Sequence, residues 1–158
     1  MFRPLTRIKQ KLSEEDCEEI LRTALRGVLA LNGEDGYPYA IPINHYFDPD
    51  TRKVYFHSGK LGYKVDCVTA SNKACFTVSD EGRRLDGEWW LTIRSVILFG
   101  KISKVTDEET IREISRKLSH KFTQDESYID SEIARYASAT LLLALDIEDM
   151  QGKSVREK

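Results

Sequence analysis

The segment Tyr55-Phe56-His57-Ser58-Gly59-Lys60-Leu61-Gly62-Tyr63-Lys64 concentrates residue types that can do chemistry. An apolar run ends at His57, a hydroxyl and two glycines follow, and Lys64 stands in the first turn of a helix predicted over Tyr63 to Ala70. Glycines let backbone approach a ligand closely, and a helix start offers free N–H groups and the positive end of the macrodipole. A lysine is poorly placed there unless an anion accompanies it. Anion binding and an ordinary loop-to-helix turn both stand as readings. The segment is not a Walker A loop, because no Gly-Lys-Ser/Thr follows the required spacing.

The three histidines, His45, His57 and His120, show no metal-ligand spacing, and Cys17, Cys67 and Cys75 are too scattered for a zinc site or a disulfide framework. No metal is therefore expected. His45 and His57 fall late in two predicted strands, and for each a structural role competes with a chemical one. Pro38 and Pro42, four apart, withhold their N–H groups from the same strand edge. That fits a protected edge strand, or an interrupted ladder leaving Asn44 and nearby backbone free for a flat polar ligand. Serine-hydrolase chemistry is unsupported, since no Gly-x-Ser-x-Gly elbow exists. Trp89 and Trp90, read as part of a strand, must point to opposite faces, so one needs cover from outside. Arg94, within an apolar strand, calls for a charged partner.

The elements that position these residues follow from periodicity. Ser13, with Glu14, Glu15 and Asp16 behind it, starts an amphipathic helix carrying Cys17, Ile20, Leu21, Ala24 and Leu25 on one face. Strands are predicted at Val28 to Leu31, Tyr37 to Phe47, Val54 to His57, Ala74 to Val78 and Trp89 to Val105. The last is the longest, and Val96-Ile97-Leu98-Phe99 reads as covered on both faces. Thr106 and Glu109 form a capping box for a helix bearing Ile111, Ile114, Leu118 and Phe122. A shorter helix is expected over Ser127 to Ala137, and a closing strand over Ala139 to Ile147. Hairpin-linked strands in this number favour a mainly β, antiparallel barrel with peripheral helices.

At 158 residues, with 41% hydrophobic and 32% charged residues and no internal repeat or linker, the chain reads as one folded domain over 1–158. A net charge of −2 argues against a nucleic-acid partner. The longest apolar run, Leu141 to Leu145, is far below the ~20 residues of a membrane span, and no signal peptide is visible, so a cytoplasmic location is expected.

Together, Gly36-Tyr37-Pro38-Tyr39, Pro42-Ile43-Asn44, Tyr55-Phe56-His57-Ser58-Gly59 and Gly62-Tyr63-Lys64 resemble the pyridoxamine 5'-phosphate oxidase-like, split-barrel FMN-binding superfamily. Arg94 to Lys101 and the late Gly152-Lys153 extend the resemblance over nearly the whole chain, with its nitroimidazole-resistance (Nim-type) branch nearest. The resemblance implies a split β-barrel homodimer with FMN at the subunit interface, FAD being the alternative flavin, and a small-molecule substrate. By motif position, Ile41, Pro42, Ile43 and Asn44 would run along the flavin ring. His57, Ser58 and Gly59 would lie by the ring edge or ribityl phosphate, Lys64 would hold the phosphate, and Arg94 and Ser95 would contact the flavin. His57 is the expected catalytic residue. Tyr63 stands where the vitamin B6 oxidases have an arginine, and their basic substrate-binding C-terminal segment has no counterpart in Gln151 to Lys158. Vitamin B6 oxidation is accordingly not expected. Reduction of small compounds, nitroaromatic ones among the candidates, is expected, with flavin or haem binding without turnover as the alternative.

Overall fold

A computed structural model describes residues 1–157. In chain order the elements are α1 (Glu14–Thr23), β1 (Arg26–Asn32), β2 (Pro38–Asn44), β3 (Tyr46–Asp48), β4 (Lys53–Gly59), α2 (Tyr63–Ala70), β5 (Lys73–Ser79), β6 (Thr92–Val105), α3 (Glu108–Ser119), α4 (Glu126–Tyr136) and β7 (Thr140–Arg156). All strand pairings are antiparallel, in the order β2-β1-β5-β6-β7-β4-β3. β2 and β3 are nearly continuous in sequence yet occupy opposite edges of the sheet. The single residue between them, His45, therefore carries the chain from one edge to the other and curls the sheet into a split barrel. The predicted strand from Tyr37 to Phe47 is two strands broken at this point.

Alternation along the strands defines the interior. Leu29, Phe56, Phe76, Val96, Leu98, Leu143 and Leu145 are fully buried, and the Phe56 and Phe76 rings meet edge-on at 4.9 Å. α1 is capped by Ser13, whose hydroxyl accepts from Asp16 N at 3.1 Å, and buries Cys17, Ile20 and Leu21. The helix ends at Thr23, so Leu25 falls outside the apolar stripe and is exposed. Gly152 of β7 has no room for a side chain: a Cβ there would lie 2.3 Å from Cys17 Sγ.

The strand covered on both faces is β7, not β6. Leu141 to Leu145 are all buried, because one parity fills the barrel while Leu142 and Ala144 pack with Tyr55 under Ile111 and Ile114 of α3. On β6, by contrast, Ile97 and Phe99 face outward and stay partly exposed, with Phe2 stacked on Phe99 at 5.5 Å. β7 is also the longest strand; its second half is mostly polar, with only Ile147, Met150 and Val155 as large apolar residues, so no apolar run marks it. α3 starts one residue later than the predicted capping box, with Asp107 accepting from Thr110 N at 2.8 Å. Trp89 and Trp90 precede β6 rather than belonging to it. Gly87, at φ +81°, turns the chain there, and the two indoles pack edge-on at 5.8 Å. Strand alternation therefore does not govern them.

The prolines behave as an edge device. Gly33 N donates to Tyr37 O at 3.0 Å, and the register sets Pro38 opposite Asn32 and Pro42 opposite Val28. The two-residue alternation of antiparallel bonds then aims both proline nitrogens away from β1, toward the open edge.

His45 is fully buried, and its Nε2–H donates to Leu21 O at 2.8 Å, leaving Nδ1 buried without a partner. Burial, reinforced by the nearby Lys121 ammonium, lowers its pKa to about 4. The unfolded chain takes up a proton near the ordinary value of about 6.5 while the folded chain refuses it. Stability is thus fully present above pH 6.5 and is lost as the pH falls toward 4, by about 3 kcal/mol from this residue. In urea titrations the parent should lose that much more stability between pH 7 and 4 than His45→Asn does. Parallel profiles would show that the ring accepts a proton inside the fold.

Candidate functional site

β4 presents alternate residues to two environments. Val54, Phe56 and Ser58 face the barrel; Tyr55 and His57 face outward, beneath α3. His57 Nε2 lies 2.8 Å from the hydroxyl of Ser115, a buried polar residue of α3. Ser119 Oγ donates back to Ser115 O at 2.8 Å, fixing that turn. Burial lowers the His57 pKa, so the ring is neutral at physiological pH, and its Nδ1 has no partner among the described residues.

Two adjoining cavities meet at this histidine. One, of about 300 Å³, opens between the barrel and the α3–α4 pair, with Asn44, His57, Ser115 and Ser119 on its polar side and Leu118, Phe122, Tyr128, Ile129, Ile133 and Tyr136 as its apolar wall. The other, of about 420 Å³, is lined by Arg26, Pro42, Ile43, Asn44, His57 and Leu118. Asn44 and His57 border both. Arg26 Nε donates to Asn44 Oδ1 at 2.9 Å, which orients the amide across the β1–β2 edge. Phe122 lies beyond the end of α3 and is half exposed at the first cavity.

The sequence-predicted residues fall into separate groups. Pro42, Ile43, Asn44 and His57 come together around the second cavity. Ile41 packs against the barrel core and lines neither cavity. Ser58 is buried, with its hydroxyl donating to Gly59 O at 2.8 Å. Beyond Gly59 the loop leads through Gly62, at φ +119°, into α2, where Lys64 is partly buried. Desolvation lowers the Lys64 pKa, and no acid pairs with it among the described residues. Tyr63, beside it, is held by Glu34 N, which donates to its hydroxyl at 2.7 Å, and by an edge-on contact with Tyr39 at 4.7 Å.

Arg94 and Ser95 are elsewhere. Arg94 donates to Asp80 Oδ2 at 2.9 Å and Glu19 Oε2 at 3.0 Å, tying α1 to the loop after β5. These carboxylates are the partners its sequence setting called for. Ser95 is opposite Lys153 on β7, whereas His57 is opposite Leu142 of the same strand. Those two β7 positions are separated by roughly 35 Å of strand at about 3.3 Å per residue. One chain does not bring them to one site. Sequence reasoning missed Ser115, Ser119 and the α4 wall. The only signal was the pair of serines interrupting the apolar face of α3, four apart.

The pyridoxamine 5'-phosphate oxidase family model matches residues 13–154, and the chain belongs to that family. No curated protein matches the sequence. Among solved structures, a candidate 5-nitroimidazole antibiotic resistance protein from Bacteroides thetaiotaomicron aligns with a TM-score of 0.76 at 23% identity, over 91% of this chain and 86% of that one. The FAD and haem binding protein from Mycobacterium smegmatis gives 0.72 at 24%, over 95% and 74%. A flavocytochrome from Azotobacter vinelandii gives 0.78 at 20%, over 97% and 72%. At these identities the likeness establishes the split-barrel fold. No helix among the described residues is long and apolar enough to cross a membrane.

Proposed function

We propose that this chain is a flavoprotein, acting as a homodimer, that reduces small compounds, nitroaromatic ones among them. The observation that carries the reading is Lys64: a partly buried ammonium at a helix start, without an acidic partner, one short loop from the His57 strand. A flavin phosphate would supply the missing anion, so the residues present fit the group. Lys64 and the Gly59–Gly62 loop would hold its phosphate, and Pro42, Ile43, Asn44 and His57 its ring. The flavin, FMN with FAD as the alternative, would supply hydride chemistry. Asn44, fixed by Arg26, would orient the ring, and the apolar wall of α3 and α4 would exclude water and take a small aromatic substrate. The neutral His57, steadied by Ser115, would exchange a proton with that substrate.

Two features favour a second copy of the chain as part of the site. Arg94 and Ser95 reach a flavin held near His57 only from another chain. The outward rows Pro42, Val28, Thr77, Ile97 and Ala40, Ala30, Cys75, Phe99 form a largely apolar sheet face that is only partly buried in one chain. The flavin-loaded protein is expected to sediment as a two-chain species at micromolar concentration. A flavin-bearing single chain would refute this assembly.

A second reading, flavin or haem binding without turnover, is favoured by the likeness to the FAD and haem binding protein. Reduction of the loaded protein by a nicotinamide nucleotide, followed by reoxidation with a nitro compound, separates the two. Purified protein saturated with FMN should be yellow, and Lys64→Ala should weaken flavin affinity roughly tenfold to a hundredfold, as loss of one charge-assisted contact predicts. A colourless protein that ignores FMN and FAD ends the flavin reading.

His57→Gln keeps a hydrogen-bonding side chain but cannot titrate. If His57 is the proton donor, the variant retains flavin and slows turnover of a nitro substrate on the order of a hundredfold or more. The parent rate should vary with pH below the ordinary histidine value of about 6.5, the direction set by burial, and that dependence should vanish in the variant. Turnover equal to the parent at every pH would limit His57 to binding.

A further inference from the structure

Away from His57, the N-terminal segment, the loop before β6 and the end of β7 border an open groove of about 470 Å³, lined chiefly by Lys9, Gln10, Lys11, Arg83, Thr92 and Arg156, the four cations being exposed. It shares no lining residue with the two cavities around His57. Among the described residues, Lys9, Lys11, Arg83 and Arg156 make no ion pair and no side-chain hydrogen bond. The backbone explains their convergence. Arg83 and Thr92 exchange bonds, Arg83 N to Thr92 O at 3.0 Å and Thr92 N to Arg83 O at 2.9 Å, while the β6–β7 register sets Arg156 opposite Thr92 on its other side. Residues directly opposite share a sheet face, so two guanidinium side chains flank one hydroxyl. Lys11 is bridged to Lys153, a like-charge pair of which only Lys11 lines the cavity.

Lys11 and Lys153, directly opposite, oppose folding as like charges, and a chain with net charge −2 has ample carboxylates to have neutralised the cations here. A second observation is independent of charge. Thr92 Oγ1 and Gln10 Oε1, both lining this cavity, are buried with no hydrogen-bond partner. Buried polar atoms are nearly always satisfied, by protein, water or ligand. A threonine hydroxyl donates freely, and a glutamine amide presents either its oxygen or its NH2 by turning about its last torsion.

We propose that this cavity binds the phosphate groups of a small phosphorylated ligand of the nucleotide or pyrophosphate class. Four cations suit a multiply charged anion, and guanidinium forks match phosphate oxygens two at a time. The volume exceeds what one phosphate fills. The four cations are exposed around the rim and the two unpartnered oxygens lie beneath them, so the ligand they fit is a compact, multiply charged one that draws several cations together at one point. A nicotinamide dinucleotide and a free nucleoside diphosphate share this chemistry.

The test is calorimetric titration of the whole protein with inorganic pyrophosphate, ADP and NADPH, each with and without saturating FMN. At least one of the three should bind in both conditions. Arg83→Gln/Arg156→Gln should weaken that binding at least tenfold, whereas Arg112→Gln on α3 leaves it unchanged. Should the double variant fail to fold, Lys11→Gln and Thr92→Val read the same cavity with smaller disturbance. ADP binding more tightly than pyrophosphate identifies a nucleotide site, and NADPH more tightly than ADP a nicotinamide one; either upholds the proposal, as does pyrophosphate alone. No binding at millimolar concentration, or equal affinity in parent and double variant, overturns it. Binding abolished by FMN would assign the cavity to the flavin's own phosphate and overturn it equally. A protein that ignores FMN fails the flavin reading yet leaves the ADP titration intact.

Discussion

The barrel closes through one buried junction. Between Asn44 and Tyr46 the chain leaves the β2 edge of the sheet and begins the β3 edge, and His45 is the residue that makes the crossing. Its ring is fixed to Leu21 O of α1, and its own carbonyl accepts from Lys121 Nζ at 2.8 Å. The same ammonium donates to Ala24 O at 2.7 Å. Lys121 thus binds three parts of the fold at once: the end of α1, the β2–β3 crossing and the segment joining α3 to α4. Burial pulls its pKa down to about 8, the cost of holding a charge between two carbonyls rather than in water. The junction works only if His45 stays neutral, since a charged imidazole would face this ammonium in a desolvated site.

The location of the candidate site follows from that junction. Asn44 immediately precedes the crossing, and Lys121 holds the start of the α3–α4 connection against it. The helical pair is thereby set over the outer face of β4, which places Ser115 on His57 and builds the apolar wall beyond. A β-barrel strand usually shows one face to its core and one to water. Here β4 and β7 carry a second apolar layer, Tyr55, Leu142 and Ala144 against Ile111 and Ile114, and this layer desolvates His57. The depressed pKa of that histidine is a consequence of architecture rather than of any charged neighbour.

Local signals were legible where one segment decides its own structure. α2 runs from Tyr63 to Ala70, as periodicity and the preceding glycines indicate, and Ser13 caps α1. The mainly β antiparallel barrel follows from strand number and turns. What the sequence concealed is set by distant contacts. Tyr37 to Phe47 looks like one strand because a buried histidine does not announce a sheet crossing. The second half of β7 is mostly polar, and its pairing with β6 can be seen only once that partner is in place. Gly152 appears in the sequence as a family feature, and its reason is the sulfur of Cys17 pressed against it. Ser115 and Ser119 look like ordinary polar interruptions of an amphipathic helix until β4 supplies the histidine they serve.

The distribution of cations bears on how the chain meets an anion. Tyr63, the residue beside Lys64, is occupied structurally: its hydroxyl accepts from Glu34 N, and its ring leans on Tyr39. It brackets the β1–β2 turn against α2. Lys64 is left as the one cation of that helix start, enough for a single charge-assisted contact but a sparse cradle for a phosphate dianion. Four unpaired cations, Lys9, Lys11, Arg83 and Arg156, gather instead near Thr92, remote from Lys64 within one chain. Elsewhere carboxylates are paired, Asp80 and Glu19 with Arg94 and Glu14 with Arg52. Arg94 is neutralised twice while Arg83 and Arg156 are left bare at the cavity, and charge left bare above buried, unpartnered oxygens is what an anionic ligand relieves.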